Sequence, residues 1–256
     1  MNMFGETPII EVRHFTAAYD GVVLLGDLSF TVYQSEVFAI LGGSGSGKST
    51  LLKHMIGLYR PVHGSILIEG RDIVTAEGLQ RLEILTRIGV MYQQGALFGS
   101  MNLLENVRLP LEEYTDLPDD AIDRVALMKL QLVGLGSAAN KLPDEISGGM
   151  RKRAAIARAM ALDPRILFLD EPSAGLDPIT SADLDQLIVS LARNLKITFV
   201  VVTHELPSIE AIADRVIMVD KRTKTIIAEG KPQDLRDHSE NPWVRQFFNR
   251  EASVQG

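Results

Sequence analysis

The apolar pattern changes period along the chain, and each change predicts a different element. Residues 9–33 and 65–69 read as short strands broken by Gly and Asp. "VFAIL" (37–41) is unbroken and runs into glycines, the pattern of a buried parallel strand. Ser49 to Leu58 then reads as helix. "ILFLD" (166–170) and "ITFVVVT" (197–203) predict two more buried strands, with a helical pattern from Ile179 to Asn194 between them. This β-α-β alternation predicts an α/β core around a parallel sheet.

Residues 100–161 break from that pattern. They lack β-branched runs and carry helical periodicity, so they predict a helical insertion between two halves of the sheet. At its end, in "DEISGGMRKRAAIARAM", Met150, Ala154, Ala157 and Ala161 recur on one helical face. Arg151, Lys152, Arg153 and Arg158 fall mostly off it. "DRVIMVD" (214–220) and "TIIAEG" (225–230), joined by a basic turn, predict a hairpin. In "NPWVRQFF" (241–248), Asn stands at a cap position and Pro in the first turn. Trp243, Val244, Phe247 and Phe248 then share a face. Two turns are too short to persist alone in water, so this helix must dock, either on this chain or on another.

Composition narrows the classes. The 256 residues are 46% hydrophobic and 23% charged, enough for a full core. With no cysteine there is neither a disulfide framework nor a thiolate metal site. A net charge of −7 argues against a nucleic-acid partner. The start, "MNMFGETPIIEVRHF", does not have the form of a leader. No apolar run approaches the length that spans a bilayer. A role at a membrane would need another chain to hold this one there.

"GGSGSGKS", Gly42 to Ser49, fits the G-x-x-x-x-G-K-[ST] phosphate loop between a buried strand and a helix, and Thr50 follows. In such a loop the backbone N–H groups of Gly42, Gly43, Ser44, Gly45, Ser46 and Gly47 curl around the β-phosphate. Lys48 is placed to neutralise the β/γ oxygens, and the Ser49 hydroxyl to ligate Mg²⁺. Asp170 ends an apolar strand and would hold the same Mg²⁺ through water. Glu171 beside it would polarise the attacking water as general base. His204 follows "FVVVT", within reach of the γ-phosphate or that water. The Gln93 amide, after another short apolar run, could touch Mg²⁺ and water. Tyr19 precedes a Gly turn and either stacks on an adenine ring or packs in the core.

A second anion site follows from Ser147, Gly148 and Gly149. A Ser-Gly-Gly lead-in leaves backbone N–H groups free at a positive helix end.

Phosphate loop, Gln, Ser-Gly-Gly, Asp-Glu, "SAGLD" and His occur here in the order found in the nucleotide-binding subunits of ATP-binding-cassette (ABC) transporters, and the chain resembles that family over residues 9 to 232. The resemblance implies an ABC ATPase fold: a RecA-like P-loop core, an antiparallel β-subdomain and an inserted α-helical subdomain. It divides the chain into one ATPase domain, 1–232, and a tail, 233–256. Within the domain, 1–98 and 162–232 form the core and 99–161 the insertion. It implies ATP and Mg²⁺ as cofactors and a head-to-tail pair with a second copy, in which each Ser-Gly-Gly helix caps the γ-phosphate bound to the other. Asp177, in "SAGLD", belongs to the loop that reads across that interface.

Met150 stands where the commonest family form has Gln. "SGGMRKRAAIARA", with "YQQGALFGSMNLLENVRLPL" and "YTDLP", is similar to the Mla-type phospholipid transport ATPases. That narrower resemblance implies a separate membrane permease, a small STAS-domain subunit and an MCE-domain lipid-binding protein. It puts the chain on the cytoplasmic face of the inner membrane, held by the permease. Two other readings stand beside it. A soluble ABC ATPase acting on DNA or ribosomes is disfavoured by the short Ser49-to-Ser147 spacing and the single cassette. A binding module without turnover is disfavoured by the intact Lys48, Asp170, Glu171 and His204. The ATPase of an importer for another solute would have nearly the same core.

Overall fold

A computed structural model describes residues 7–249. The first six residues, part of the segment read as having no leader, and the last seven of the 233–256 tail lie outside the described residues.

In chain order the elements begin with β1 (Pro8–Tyr19), β2 (Val22–Tyr33), β3 (Val37–Leu41), α1 (Lys48–Met55), β4 (His63–Ile68) and β5 (Arg71–Asp72). Next come α2 (Gly78–Leu85), β6 (Ile88–Met91), α3 (Leu103–Tyr114), α4 (Asp119–Leu132) and α5 (Gly148–Ala159). The chain continues with β7 (Ile166–Asp170), α6 (Pro178–Leu195), β8 (Thr198–Val202), α7 (Leu206–Ile212), β9 (Arg215–Asp220) and β10 (Thr225–Gly230). It ends in α8 (Pro232–His238) and α9 (Pro242–Asn249).

Two sheets result. The first is antiparallel, in the order β2-β1-β4-β5. The second, β10-β9-β3-β8-β7-β6, is parallel except for β10, which returns antiparallel to β9. This is the α/β cassette expected from the sequence.

The unbroken apolar strands are explained by burial on both faces. In β3, β7 and β8 successive side chains point to opposite sides. Leu167, Leu169, Phe199 and Val201 join one apolar cluster with the helices of 103–159 and α6. Ile166, Phe168, Val200 and Val202 join another with α1 and the antiparallel sheet. The helical segment and the parallel sheet therefore share a core.

The structure departs from the sequence expectations at several boundaries. Residues 9–33 form two long strands rather than several short ones. Asp27, one of the residues that suggested a break, takes positive φ (52°), as does His14 (48°), and the β1–β2 register shifts between Val12 and Phe15. Helix α1 stops at Met55, not Leu58. Gly57 donates its N–H to His54 O (2.9 Å) and Leu58 to Lys53 O (2.8 Å), the paired bonds that close a helix end. The pattern gave no warning of α2, which buries only Ile84, or of the seven-residue α7 and α8. The hairpin is β9–β10, close to its expected limits.

The tail helix docks on its own chain. Val244 and Phe248 are buried with Ala39, Leu41, Ile209 and Met218, with Trp243 and Phe247 packed at the margin.

Candidate functional site

The loop between β3 and α1 is the first part of the site. It leaves a fully buried strand and turns sharply into a helix. Gly42 has φ +153°, and a Cβ there would lie 2.3 Å from Val219 O, so no larger residue fits. Lys48 opens α1 and folds back over the loop, donating to Gly42 O at 2.8 Å and Gly43 O at 3.2 Å. Burial pulls the Lys48 ammonium below its ordinary pKa, and the carboxylates of Glu171 and Asp170 pull it back up. Residues 45–50 and Leu24 line a cavity of about 230 Å³. The Ser46 hydroxyl is buried without a partner among the described residues, whereas Ser44, Gly45 and Ser49 are exposed. Trp243 of the tail approaches the backbone of Gly43.

Asp170 and Glu171 follow at the end of β7, where ligands of parallel sheets gather. Register pairs Asp170 with Val202 on β8, which brings Thr203 and His204 alongside. Glu171 adopts a left-handed backbone (φ 47°) and donates its N–H to Val202 O at 2.8 Å. Its carboxylate is held on both oxygens. His204 Nδ1 lies 2.8 Å from Oε1, and Thr203 Oγ1 donates to Oε2 at 3.1 Å.

Asp170 is the opposite case. One of its oxygens is buried with no partner among the described residues. Burial pushes the carboxyl pKa up, Glu171 adds to the rise, and Lys53, Lys48 and Lys152 oppose it. A buried, unpaired carboxylate oxygen beside a phosphate loop fits a cation. Ser49 and Gln93, both exposed, would add oxygen donors of the kind Mg²⁺ takes. Gln93 follows β6, which lies beside β7 with Met91 level with Leu169.

The Ser-Gly-Gly helix end lies elsewhere. Gly148, Gln93, Gln94, Arg151, Lys152 and the 174–176 loop line a second cavity of about 530 Å³. Residues of the phosphate loop do not line it. Ser147 caps α5, its oxygen accepting from Met150 N at 3.2 Å; that bond leaves the hydroxyl proton unused. A Cβ on Gly149 would stand 2.3 Å from Thr180 Cγ2, so α6 packs against this turn too closely for a side chain. Asp177 caps α6, accepting from Ile179 N and Thr180 N (both 3.1 Å) and from Thr180 Oγ1 (2.5 Å). Those bonds, the Thr180 hydroxyl first, hold its carboxyl below the usual range.

The fold thus brings together the phosphate loop, Asp170, Glu171 and His204, with Gln93 one strand away. Gly148 lines a cavity with Gln93, and no residue of the phosphate loop lines it. Tyr19 is 72% exposed, which removes core packing as its role.

Two readings of α5 need correction. Lys152 is buried, not off the packed face, and its Nζ donates to Gln93 O and, at 3.2 Å, to Glu171 O. Arg158 donates to Ala96 O (2.8 Å) and Gly95 O (3.1 Å). The helix was amphipathic by spacing, but its long cationic side chains reach under the 93–96 loop. Met150 packs partly buried against the core. Thr203 was also missed, although a hydroxyl between an apolar strand and His204 was a usable signal. Lys152, inside a run of basic residues, had none.

Three comparisons bear on this geometry. Residues 25–174 match the ABC transporter family. The chain is 44% identical over 248 residues to the "Probable ribonucleotide transport ATP-binding protein mkl" of Mycobacterium leprae, covering 96% of this chain and 71% of that one. It is 40% identical over 242 residues to the "Intermembrane phospholipid transport system ATP-binding protein MlaF" of Escherichia coli, covering 94% and 88%. Among solved structures it is similar to a dimeric ATP-binding cassette described as a post-hydrolysis state bound to ADP and Pi (TM-score 0.78, 30% identity, 87% and 98% covered). It is also similar to cbiO1 from Clostridium perfringens, described as part of an ABC transporter complex (TM-score 0.84, 29% identity, 96% of each).

Proposed function

The chain belongs to the ABC transporter family as an ATP-hydrolysing subunit of the Mla-like type, and from that premise we propose that it powers phospholipid transport between two membranes. Two copies pair head to tail, and each site is completed by the other's Ser147–Gly149 helix end. Residues 1–98 and 162–232 act as the nucleotide-binding core. Residues 99–161 act as the arm that carries the capping helix to the partner, and 233–256 is the tail.

In each copy, the N–H groups of residues 42–47 and Lys48 bind the phosphates, and Tyr19 stacks on the adenine. Glu171 takes the proton of the attacking water and His204 orients that carboxylate. Asp170, Ser49 and Gln93 would hold Mg²⁺, which when bound supplies positive charge against the β- and γ-phosphate oxygens. Ser147, with the N–H groups of Gly148 and Gly149, caps the γ-phosphate on the partner, and Asp177 fixes the neighbouring loop. Loss of the γ-phosphate removes that cap and lets the pair open.

Support for the pairing comes from the cavity at Gly148, which no residue of the phosphate loop lines although Gln93 and Lys152 do. Support for the cargo comes from the 40% identity to MlaF across nearly the whole of both chains. Met150 in the signature supports the same narrower group.

No helix among the described residues is long and apolar enough to cross a membrane. A separate permease would therefore hold the chain at the cytoplasmic face, with a STAS-domain subunit and an MCE-domain protein as further partners. A second reading, an ATPase serving another solute, draws on the ribonucleotide transport name of the M. leprae relative.

The test is to purify the tagged chain from detergent-solubilised membranes and identify what accompanies it by mass spectrometry. A permease with an MCE-domain and a STAS-domain protein supports phospholipid transport. A permease with a soluble solute-binding protein overturns the cargo and keeps the ATPase. Ribosomes or DNA without a permease overturn transport.

A further inference from the structure

Lys152 is the residue that the proposed chemistry leaves unexplained. It lies one turn inside α5, the helix whose first residues are Gly148 and Gly149. Its Nζ donates to the carbonyls of Gln93 and Glu171. Three segments distant in sequence therefore meet on one ammonium: the loop after β6, the end of β7, and the helix with the Ser-Gly-Gly turn.

The Glu171 carbonyl needs such a tether. Left-handed backbone at a non-glycine residue costs about 1–3 kcal/mol and persists only where neighbours over-determine it. Here the Glu171 N–H is held by Val202 O (2.8 Å). Its carbonyl accepts from Ala174 N and Lys152 Nζ, each at 3.2 Å. This conformation aims the carboxylate at His204 and Thr203. An apolar side chain at 152 would remove one of the two donors to the Glu171 carbonyl and the ammonium donor to Gln93 O together.

The charge also counts. Lys152 is buried, which lowers its pKa, while Glu171 and Asp170 raise it. It thus supplies positive charge to the two carboxylates, as Lys48 does from the phosphate loop.

We propose that Lys152 is a positioning residue, tying the backbone of Glu171 and Gln93 to the helix that caps the partner's nucleotide. Movement of the cap in one site is then transmitted to the general-base carboxylate of the other. This rests on the reading of Glu171 as the base and adds to it a mechanical link between the paired sites.

The test compares full-length wild type with K152M, K152R and E171Q. Steady-state ATPase activity, nucleotide affinity and thermal melting are measured on each. K152M is expected to keep nucleotide affinity within about twofold while kcat falls about tenfold or more at little-changed KM. K152R, which keeps the charge and the donors, should recover most of kcat. A merely structural lysine would instead lower the melting temperature and nucleotide affinity together with kcat.

Wild-type kcat in K152M beside an inactive E171Q overturns the Lys152 inference alone. Equal losses in K152R and K152M overturn it as well, because the shared charge would then have no role. Turnover surviving in E171Q overturns the underlying reading of Glu171.

Discussion

His204 Nδ1 lies 2.8 Å from Glu171 Oε1, and Thr203 holds the other oxygen of the same carboxylate. Both oxygens of the carboxylate are therefore held by neighbours on its own chain. Glu171→Gln keeps the shape and removes the basic oxygen. It should bind ATP normally, lose turnover by about 10²-fold or more, and accumulate as a closed dimer. Size-exclusion chromatography with ATP reports the dimer. His204→Ala should lower kcat with a smaller effect on ATP affinity, since it removes only the orienting partner.

Lys48 spans the loop as well as facing the phosphates, through its bonds to Gly42 O and Gly43 O. Lys48→Ala should weaken ATP binding by about tenfold or more, read by titration with a fluorescent nucleotide. Normal affinity with only kcat reduced would show that the backbone N–H groups suffice for binding.

Gly149 and Thr180 make a packing test of the capping turn. The Cβ of Gly149→Ala would stand 2.3 Å from Thr180 Cγ2, which should cost about 1–3 kcal/mol in chemical denaturation. Thr180→Ser deletes that methyl and keeps the hydroxyl that bonds Asp177. The double variant should recover most of the loss. If it does not, backbone approach rather than the methyl sets the limit.

Asp170 trades stability for function. Its folded-state pKa lies above the unfolded value, chiefly through burial and then through Glu171. Between those two values the folded chain binds more protons than the unfolded one, so stability falls as pH rises through that window. Asp170→Asn should therefore raise the melting temperature of the nucleotide-free protein at neutral pH. The gain should shrink as the pH is lowered and wild-type Asp170 protonates. The same variant should lose Mg²⁺-dependent turnover.

Phe248 and Val244 anchor the tail under Leu41 and Met218. Phe248→Ala should destabilise the chain by about 3–5 kcal/mol, measured by denaturant unfolding. An unchanged midpoint would mean that α9 contributes nothing to this chain's core and is free to dock on a partner.

Much of the molecule was written in the order of its residues. Five apolar residues before a glycine loop can be buried only between two layers, so β3 and the phosphate-loop turn followed from local pattern. The same holds for β7 with Asp170 and Glu171 at its end, because a buried strand must finish at a sheet edge where ligands collect. Ser147 reads as part of an anion site and Asp177 as part of an interface loop, and the structure makes each a helix cap.

Tertiary structure decided what depends on contacts between distant segments. That Tyr19 is bare, that α9 folds back on its own sheet, and that the two glycine sites line different cavities all depend on packing that no local period encodes. Lys152 is the clearest case. Its neighbours in sequence are cations that spacing assigns to solvent, and only the approach of Gln93 and Glu171 from 59 and 19 residues away makes it a buried donor. Sequence determined which chemistry the chain could carry, because motif and strand end are local. Which groups share one site was decided by the sheet order, because neighbouring strands are not neighbours in sequence.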